Sequence, residues 1–279
     1  MKFMNKVRKS SLLVVVCVLV FGISDVHAFT LGDMDVYALA ESFTWKEFDA
    51  GKRFLKESGP RYGVGFAYAH EFPYHLTLKP RIELNGGEVD YDGQTNAVPP
   101  VAVSTTTKYF GLKFEMDLGD RIRPSQSFVL EPFAGIGIRS WSRDIENSTA
   151  ADGSFARGYT ENWTSFYGRL GVRGDLFLGE MNKLFLEAGV KLPVYTENYI
   201  NDDNVSREAL TLKPGNKPSL FAEAGVKLHL FKISAFYDSM RFKKSPTVVV
   251  YDPSRGGYVG YYQPKSEADM FGLKIGASF

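Results

Sequence analysis

With 33 Lys and Arg against 32 Asp and Glu in 279 residues, the chain has no net field with which to gather nucleic acid or an acidic polymer. Its one cysteine, Cys17, excludes a disulfide-stapled scaffold and a thiolate metal site. Beyond residue 28 no apolar run approaches the roughly 18–20 residues of a spanning helix, so a membrane-embedded mature chain has to be a β-barrel.

The chain opens "MKFMNKVRK", with Lys2, Lys6, Arg8 and Lys9, followed by the apolar "LLVVVCVLVFGI" and then "SDVHA". A basic head, a short apolar stretch and small residues before a cut describe a secretory signal peptide over 1–28, cleaved after Ala28. Residues 29–279 are then expected to form one domain. Cys17 lies in the middle of the apolar stretch, so it leaves with the leader.

From residue 34 onward the dominant pattern is period-two alternation, the signature of strands whose faces meet different surroundings. About ten such segments are predicted, at 34–49, 60–71, 75–91, 105–119, 127–145, 161–178, 182–198, 217–230, 232–250 and 262–279. In "YFGLKFEMDLG", Phe110, Leu112, Phe114, Met116 and Leu118 oppose Gly111, Lys113, Glu115 and Asp117. "LFLEAGVKLPVY" and "LFAEAGVKLHLF" are nearly the same strand written twice. In "GLKIGASF", Leu273, Ile275, Ala277 and Phe279 oppose Gly272, Lys274, Gly276 and Ser278, and the alternation runs to the last residue.

The connections alternate in length. Short ones fall at 73–75, 179–182 and Phe231, with a moderate one at 120–127; long polar ones fall at 50–59, 92–105, 146–162, 201–218 and 251–264. Short turns on one side and long loops on the other predict an all-β, closed antiparallel transmembrane β-barrel of about 10 strands, with 8 or 12 as alternatives. Both termini fall on the short-turn side. Aromatic residues near strand ends, Trp45, Tyr62, Phe72, Tyr74, Phe110, Phe128, Phe231 and Phe279, are expected to form interface girdles.

One parity therefore faces lipid and the other lines the lumen. The lumen set contains Lys79, Arg81, Glu83, Lys113, Glu115, Asp117, Glu131, Arg139, Arg169, Arg173, Asp175, Glu187, Lys191, Glu223, Lys227, Asp238 and Lys274. A barrel of this size is only slightly wider than the eight-strand case that side chains fill. Unpaired buried charges are costly, so a salt-bridged plug is expected rather than a wide pore.

At this point the chain resembles bacterial outer-membrane β-barrel proteins. The resemblance implies location in the bacterial cell outer membrane and a final strand recognised by the barrel-assembly machinery. Here that signal would be Phe271, Leu273, Ile275 and Phe279, with Ala277 standing where many such signals carry an aromatic. "NGGEVDYDG" adds a partial resemblance to the omptin proteases, ten-stranded barrels in which an Asp-x-Asp pair faces an Asp-x-His pair. Asp90 and Asp92 would take the place of the first pair. The second pair has no counterpart: His70, His75 and His229 fall near the periplasmic end, and "NDDNVSREAL" offers Asp202 and Asp203 without a histidine. The parity set by Leu76, Leu78, Ile82 and Leu84 points Asp90 and Asp92 outward, unless a bulge at Gly86-Gly87 shifts the register or the strand already stands above the membrane.

"SMRFKKSP" places Arg241, Lys243 and Lys244 on an outer strand end, where they are candidates for lipopolysaccharide phosphates. No Gly-rich phosphate loop or metal-spaced His/Cys cluster occurs, so no cofactor or metal is expected. The long loops, above all "RGGYVGYYQP", are the expected recognition surface for an extracellular ligand. The function expected first is therefore a non-enzymatic structural or surface-interaction (adhesin-like) role. An omptin-like endopeptidase is the alternative and a narrow solute channel the third.

Overall fold

The structure, a computed structural model, describes residues 34–95, 99–201, 209–252 and 256–279. The leader expected over 1–28, and Asp202 and Asp203, lie outside the described residues. Ten long strands among the described residues make the barrel: β1 (Met34–Asp49), β2 (Lys52–Tyr68), β3 (Leu76–Gln94), β4 (Ala102–Asp120), β5 (Phe128–Ile145), β6 (Thr160–Phe177), β7 (Asn182–Ile200), β8 (Ser219–Leu228), β9 (Phe231–Lys243) and β10 (Lys265–Ser278). Each pairs antiparallel with its chain neighbours, and β1 pairs with β10 from Asp35↔Ser278 to Phe48↔Lys265. The seam reaches the end of the chain, where Met34 N donates to Phe279 O at 3.1 Å and Phe279 N donates to Met34 O at 2.9 Å. Closure leaves no unpaired edge, the condition for a sheet in lipid.

Alternation sorts the faces as expected. Outward-pointing Val64, Phe66, Leu84, Phe110, Ile136 and Leu273 are all exposed, and with their neighbours they form an apolar belt. On β3 the outward face is Leu76, Leu78, Pro80, Ile82, Leu84 and Gly86, then turns polar at Glu88, Asp90, Asp92 and Gln94. β3 and β4 have 19 residues each, about twice the 9–11 that span the hydrocarbon layer. The sheet therefore continues well past the belt on the outer side.

Three expectations need correction. Residues 50–59 are not a long loop: Ala50 (φ 46°) and Gly51 (φ 80°) form a two-residue turn closing Asp49↔Lys52, and β2 starts at once. Positive φ at both central residues is the type I′ geometry that matches strand twist. Second, Trp45 is not a girdle residue. It shares the inward parity of Phe43 and Glu47 and is 1% exposed. Third, the register around Gly86-Gly87 is unbroken, from Ile82↔Phe114 to Asp92↔Ser104. The bulges lie elsewhere, at Phe54 in β2 and at Val194 beside Pro193 in β7.

The outer loops carry β-structure of their own: Ser148–Thr149 pairs with Phe155–Ala156, and Val248–Asp252 pairs with Gly257–Tyr261. Leu210–Leu212 pairs antiparallel with the end of β7, and Gly215–Lys217 pairs with β9.

An arginine introduced within the belt should be far more costly than one above it. Ile136→Arg is expected to lose about 2–4 kcal/mol and Thr106→Arg, on the outward face beside Asp90, about 0–1 kcal/mol. Denaturant titration of protein refolded into lipid vesicles checks the pair, and equal losses would place the belt wrongly.

Candidate functional site

Inward residues on ten strands converge, and charge fills the inner half of the lumen. Arg169 donates to Glu115 (2.7 Å), Asp117 (3.1 Å) and Glu187 (2.9 Å). Arg173 donates to Glu187 (2.7 Å), Glu131 (2.6 Å) and also to Asp117. Arg81 reaches Glu187 across the barrel at 3.1 Å. Lys274 bridges Glu83 and Glu223 at 2.9 Å each, while Asp238 takes Arg139, Lys191 and Lys113. These are the charges expected in the lumen, and the structure brings them together as a closed network.

The outer half is sealed differently. All three tryptophans of the chain meet there: Trp141 stacks on Trp163 at 5.3 Å, and Trp45 meets Trp163 edge-on at 5.1 Å. Phe242 closes the cluster at 5.4 Å from Trp163. Beside these rings a single guanidinium, Arg143, serves three carboxylates: Glu57 at 2.7 Å, Glu161 at 2.9 Å and Glu47 at 3.5 Å. Trp163 Nε1 donates to Glu161 and Trp45 Nε1 to Glu47. Arg143 and Glu57 are fully buried. Arg61, Glu41, Arg143, Glu47, Glu57 and Glu161 were missing from the sequence-derived lumen set, although inward parity alone selects them.

Asp90 and Asp92 point away from all of this. They are exposed on the outward face above the belt, opposite Thr106 and Ser104, with Val89 and Tyr91 buried between and beside them. Neither carboxylate makes a hydrogen bond or ion pair among the described residues. His70, His75 and His229 lie at the inner end, in or beside the short turns. Among the described residues the structure thus brings no histidine to the Asp pair, and the pair does not face the lumen.

Arg241 also points outward. It donates to Asp269 Oδ1 (2.5 Å) and to the Ala268 carbonyl (2.6 Å). Lys244 lies 3.6 Å from the Tyr262 ring centre and 3.5 Å from Asp49. Lys243 is exposed at the end of β9 opposite Gly215. Phe271, Leu273, Ile275 and Phe279 all stand exposed on the outward face of β10.

Three carboxylates share one buried guanidinium, and the excess of negative charge favours a proton on one of them. Burial pushes Glu47 up to about 7 against the pull of Arg143, and Glu161 and Glu57 add to the rise. The native state then holds a proton that the unfolded chain releases between about pH 4.5 and 7. Stability should fall across that window as pH rises, by on the order of 2–3 kcal/mol, and level off above it. Glu47→Gln, which removes the titration and keeps the shape, should flatten the curve. Urea midpoints of refolded protein from pH 4.5 to 8 test this, and an unchanged slope in the variant would assign the titration to another group.

No protein-family profile and no curated protein matches the sequence. Among solved structures, the chain is similar to the outer membrane protease OmpT from Escherichia coli, with 11% identity over 91% of this chain and 99% of that one, at a TM-score of 0.55. The transport unit of the autotransporter AIDA-I from Escherichia coli matches at 10% identity over 95% and 97%, with a TM-score of 0.44. The β domain of the Bordetella autotransporter BrkA matches at 14% identity over 88% and 100%, with a TM-score of 0.42. With its closed ring of ten antiparallel strands and its apolar belt, the chain has the fold of an outer-membrane β-barrel and resembles the omptin barrel in architecture.

Proposed function

We propose that the protein is a sealed outer-membrane barrel with a structural and surface-interaction role, its recognition carried by the part that rises above the belt. The observation that supports this most directly is the plug of Trp45, Trp141, Trp163, Phe242 and Arg143, buried side chains that pack together in the outer half. Building such a core above an already crowded ion-pair network serves rigidity, and conduction needs the opposite.

The hairpin Val248–Asp252/Gly257–Tyr261 is the foremost contact surface. Tyr258 is 78% and Val249 60% exposed, an amphipathic aromatic face of the kind that anchors interfaces. The basic end of β9 is the place for lipopolysaccharide, with Lys243 and Lys244 meeting its phosphates. Arg241, already held by Asp269, contributes little there. The exposed apolar face of β10 is the feature that the barrel-assembly machinery would read. An endopeptidase role loses its main support with the outward, histidine-free placement of Asp90 and Asp92.

Two measurements test this proposal. In planar bilayers the refolded protein should show no steady conductance; a stable ohmic step would overturn the sealed-barrel reading. Vesicles containing lipopolysaccharide should raise its unfolding temperature over phosphatidylcholine alone, and Lys243→Ala/Lys244→Ala should lose most of that gain. An undiminished gain in the double variant would remove these lysines as the lipid contact.

A further inference from the structure

While the outer end is closed, the inner end opens into a vestibule of about 100 Å³. Eight Lys/Arg and six Asp/Glu side chains line it. Each of the six carboxylates is already engaged. Asp35 takes Lys232 at 2.6 Å, Glu71 takes Arg121 at 2.8 Å, and Asp175 takes Lys183 at 2.8 Å. Glu131, Glu187 and Glu223 belong to Arg173, the arginine cluster and Lys274.

Of the two lining cations outside these pairs, Lys227 is engaged elsewhere, which leaves Lys79 among the described residues. Lys79, on the inward face of β3, makes no hydrogen bond or ion pair among the described residues. Its charged surroundings are Arg173, Lys232, Arg81 and Glu187, with Asp35 close enough to feel it. Cations therefore outnumber carboxylates around an ammonium that has no partner, an arrangement costly without a counter-charge.

Two further donors on the same wall also make no hydrogen bond. The Thr77 hydroxyl, two residues before Lys79 and so on the same face, is buried at 4% exposure with no hydrogen bond. Arg121 Nε is likewise buried without a hydrogen bond, with the Glu131 carboxylate 3.7 Å away. Arg121 N donates to the His75 carbonyl at 2.8 Å, which ties it to the base of β3 near Thr77. Buried donors without acceptors are rare in proteins and call for a specific account. An ammonium, a hydroxyl and a guanidinium N–H around one open cavity match the several acceptor oxygens of a tetrahedral oxyanion.

We propose that the vestibule is a binding site for a small phosphate-class oxyanion entering from the inner side, anchored by Lys79 and completed by Thr77 and Arg121. The site faces away from the lipopolysaccharide contact proposed for the outer rim and does not depend on it. A lipid headgroup fixed in the bilayer cannot enter the lumen, so the ligand is a soluble ion or the phosphate of a soluble molecule.

The probe is inorganic phosphate added to protein refolded in lipopolysaccharide-free, phosphate-free detergent, with sodium chloride at matched ionic strength as the control. Calorimetric titration should show saturable binding in the wild type and in Lys243→Ala/Lys244→Ala. Lys79→Met should weaken it at least about tenfold, the scale of one charge-assisted hydrogen bond, and Thr77→Val by a smaller factor. Should Lys79→Met refold poorly, amine acetylation of the wild type read by mass spectrometry serves instead: phosphate should protect Lys79 and leave Lys183, at the vestibule rim, unchanged. Absence of saturable binding in the wild type, undiminished binding in folded Lys79→Met, or no selective protection of Lys79 would each overturn the site.

Discussion

A carboxylate inside a ten-strand barrel has no bulk water to solvate it, and most of the architecture follows from that constraint. Placing a charge there is tolerable only if a partner of opposite sign and enough donors arrive with it. The lumen meets the condition by sharing: Glu187 is held by Arg81, Arg169 and Arg173 together, and Asp238 by Arg139, Lys113 and Lys191. These contacts join strands far apart in the chain, such as Lys274 on β10 and Glu83 on β3, 191 residues apart. The network therefore ties the barrel across its diameter, where backbone pairing cannot reach. Removing one member strands the others, so the network is expected to act as a unit.

The outer half solves the same problem with fewer charges and more surface. Ring packing among Trp45, Trp141, Trp163 and Phe242 excludes water, and that exclusion makes the Arg143 cluster strong and sensitive at once. One guanidinium cannot neutralise three carboxylates, so burial and the excess negative charge together raise Glu47 to about 7. The dry seal and the titrating acid are thus one feature, because the acid would ionise freely if the seal leaked. A sealed outer end and a projecting sheet fit a protein whose outer surface, not its lumen, meets the surroundings.

Much of this was legible in the sequence because period two is unforgiving: a shift of one residue exchanges the faces of a whole strand. The alternation in "GLKIGASF" assigns Leu273 and Ile275 outward and Lys274 inward, and the structure agrees. The same parity places Asp90 and Asp92 outward, and the bulge considered at Gly86-Gly87 is absent because both glycines pair in unbroken register with Phe110 and Tyr109. What parity hides is height along the strand. Trp45 looked like a lipid-interface aromatic because tryptophan near a strand end suggests a girdle, while its odd number already placed it inward beside Glu47. The start of β2 was concealed by "GKRFLKESGP", whose lysines, glycine and proline resemble a loop. Above the belt the outward face is free to be polar, so the composition changes while the strand continues.

Pairing, by contrast, is not a property of one strand. Whether Lys79 finds a carboxylate depends on which side chains six or seven other strands send to the same height, and on which cations reach those carboxylates first. Asp35 is taken by Lys232 from β9, and Glu187 on β7 by three arginines from β3 and β6. The surplus at Lys79 is therefore visible only once the ring is closed. It also sits at the only end where a surplus can be useful. A cation left over beneath the tryptophan seal would be a buried cost with no remedy, whereas one left over in an open vestibule can be neutralised by an ion from outside. The asymmetry between a tightly packed outer half and an open inner mouth thus decides which unpaired charge the barrel can carry.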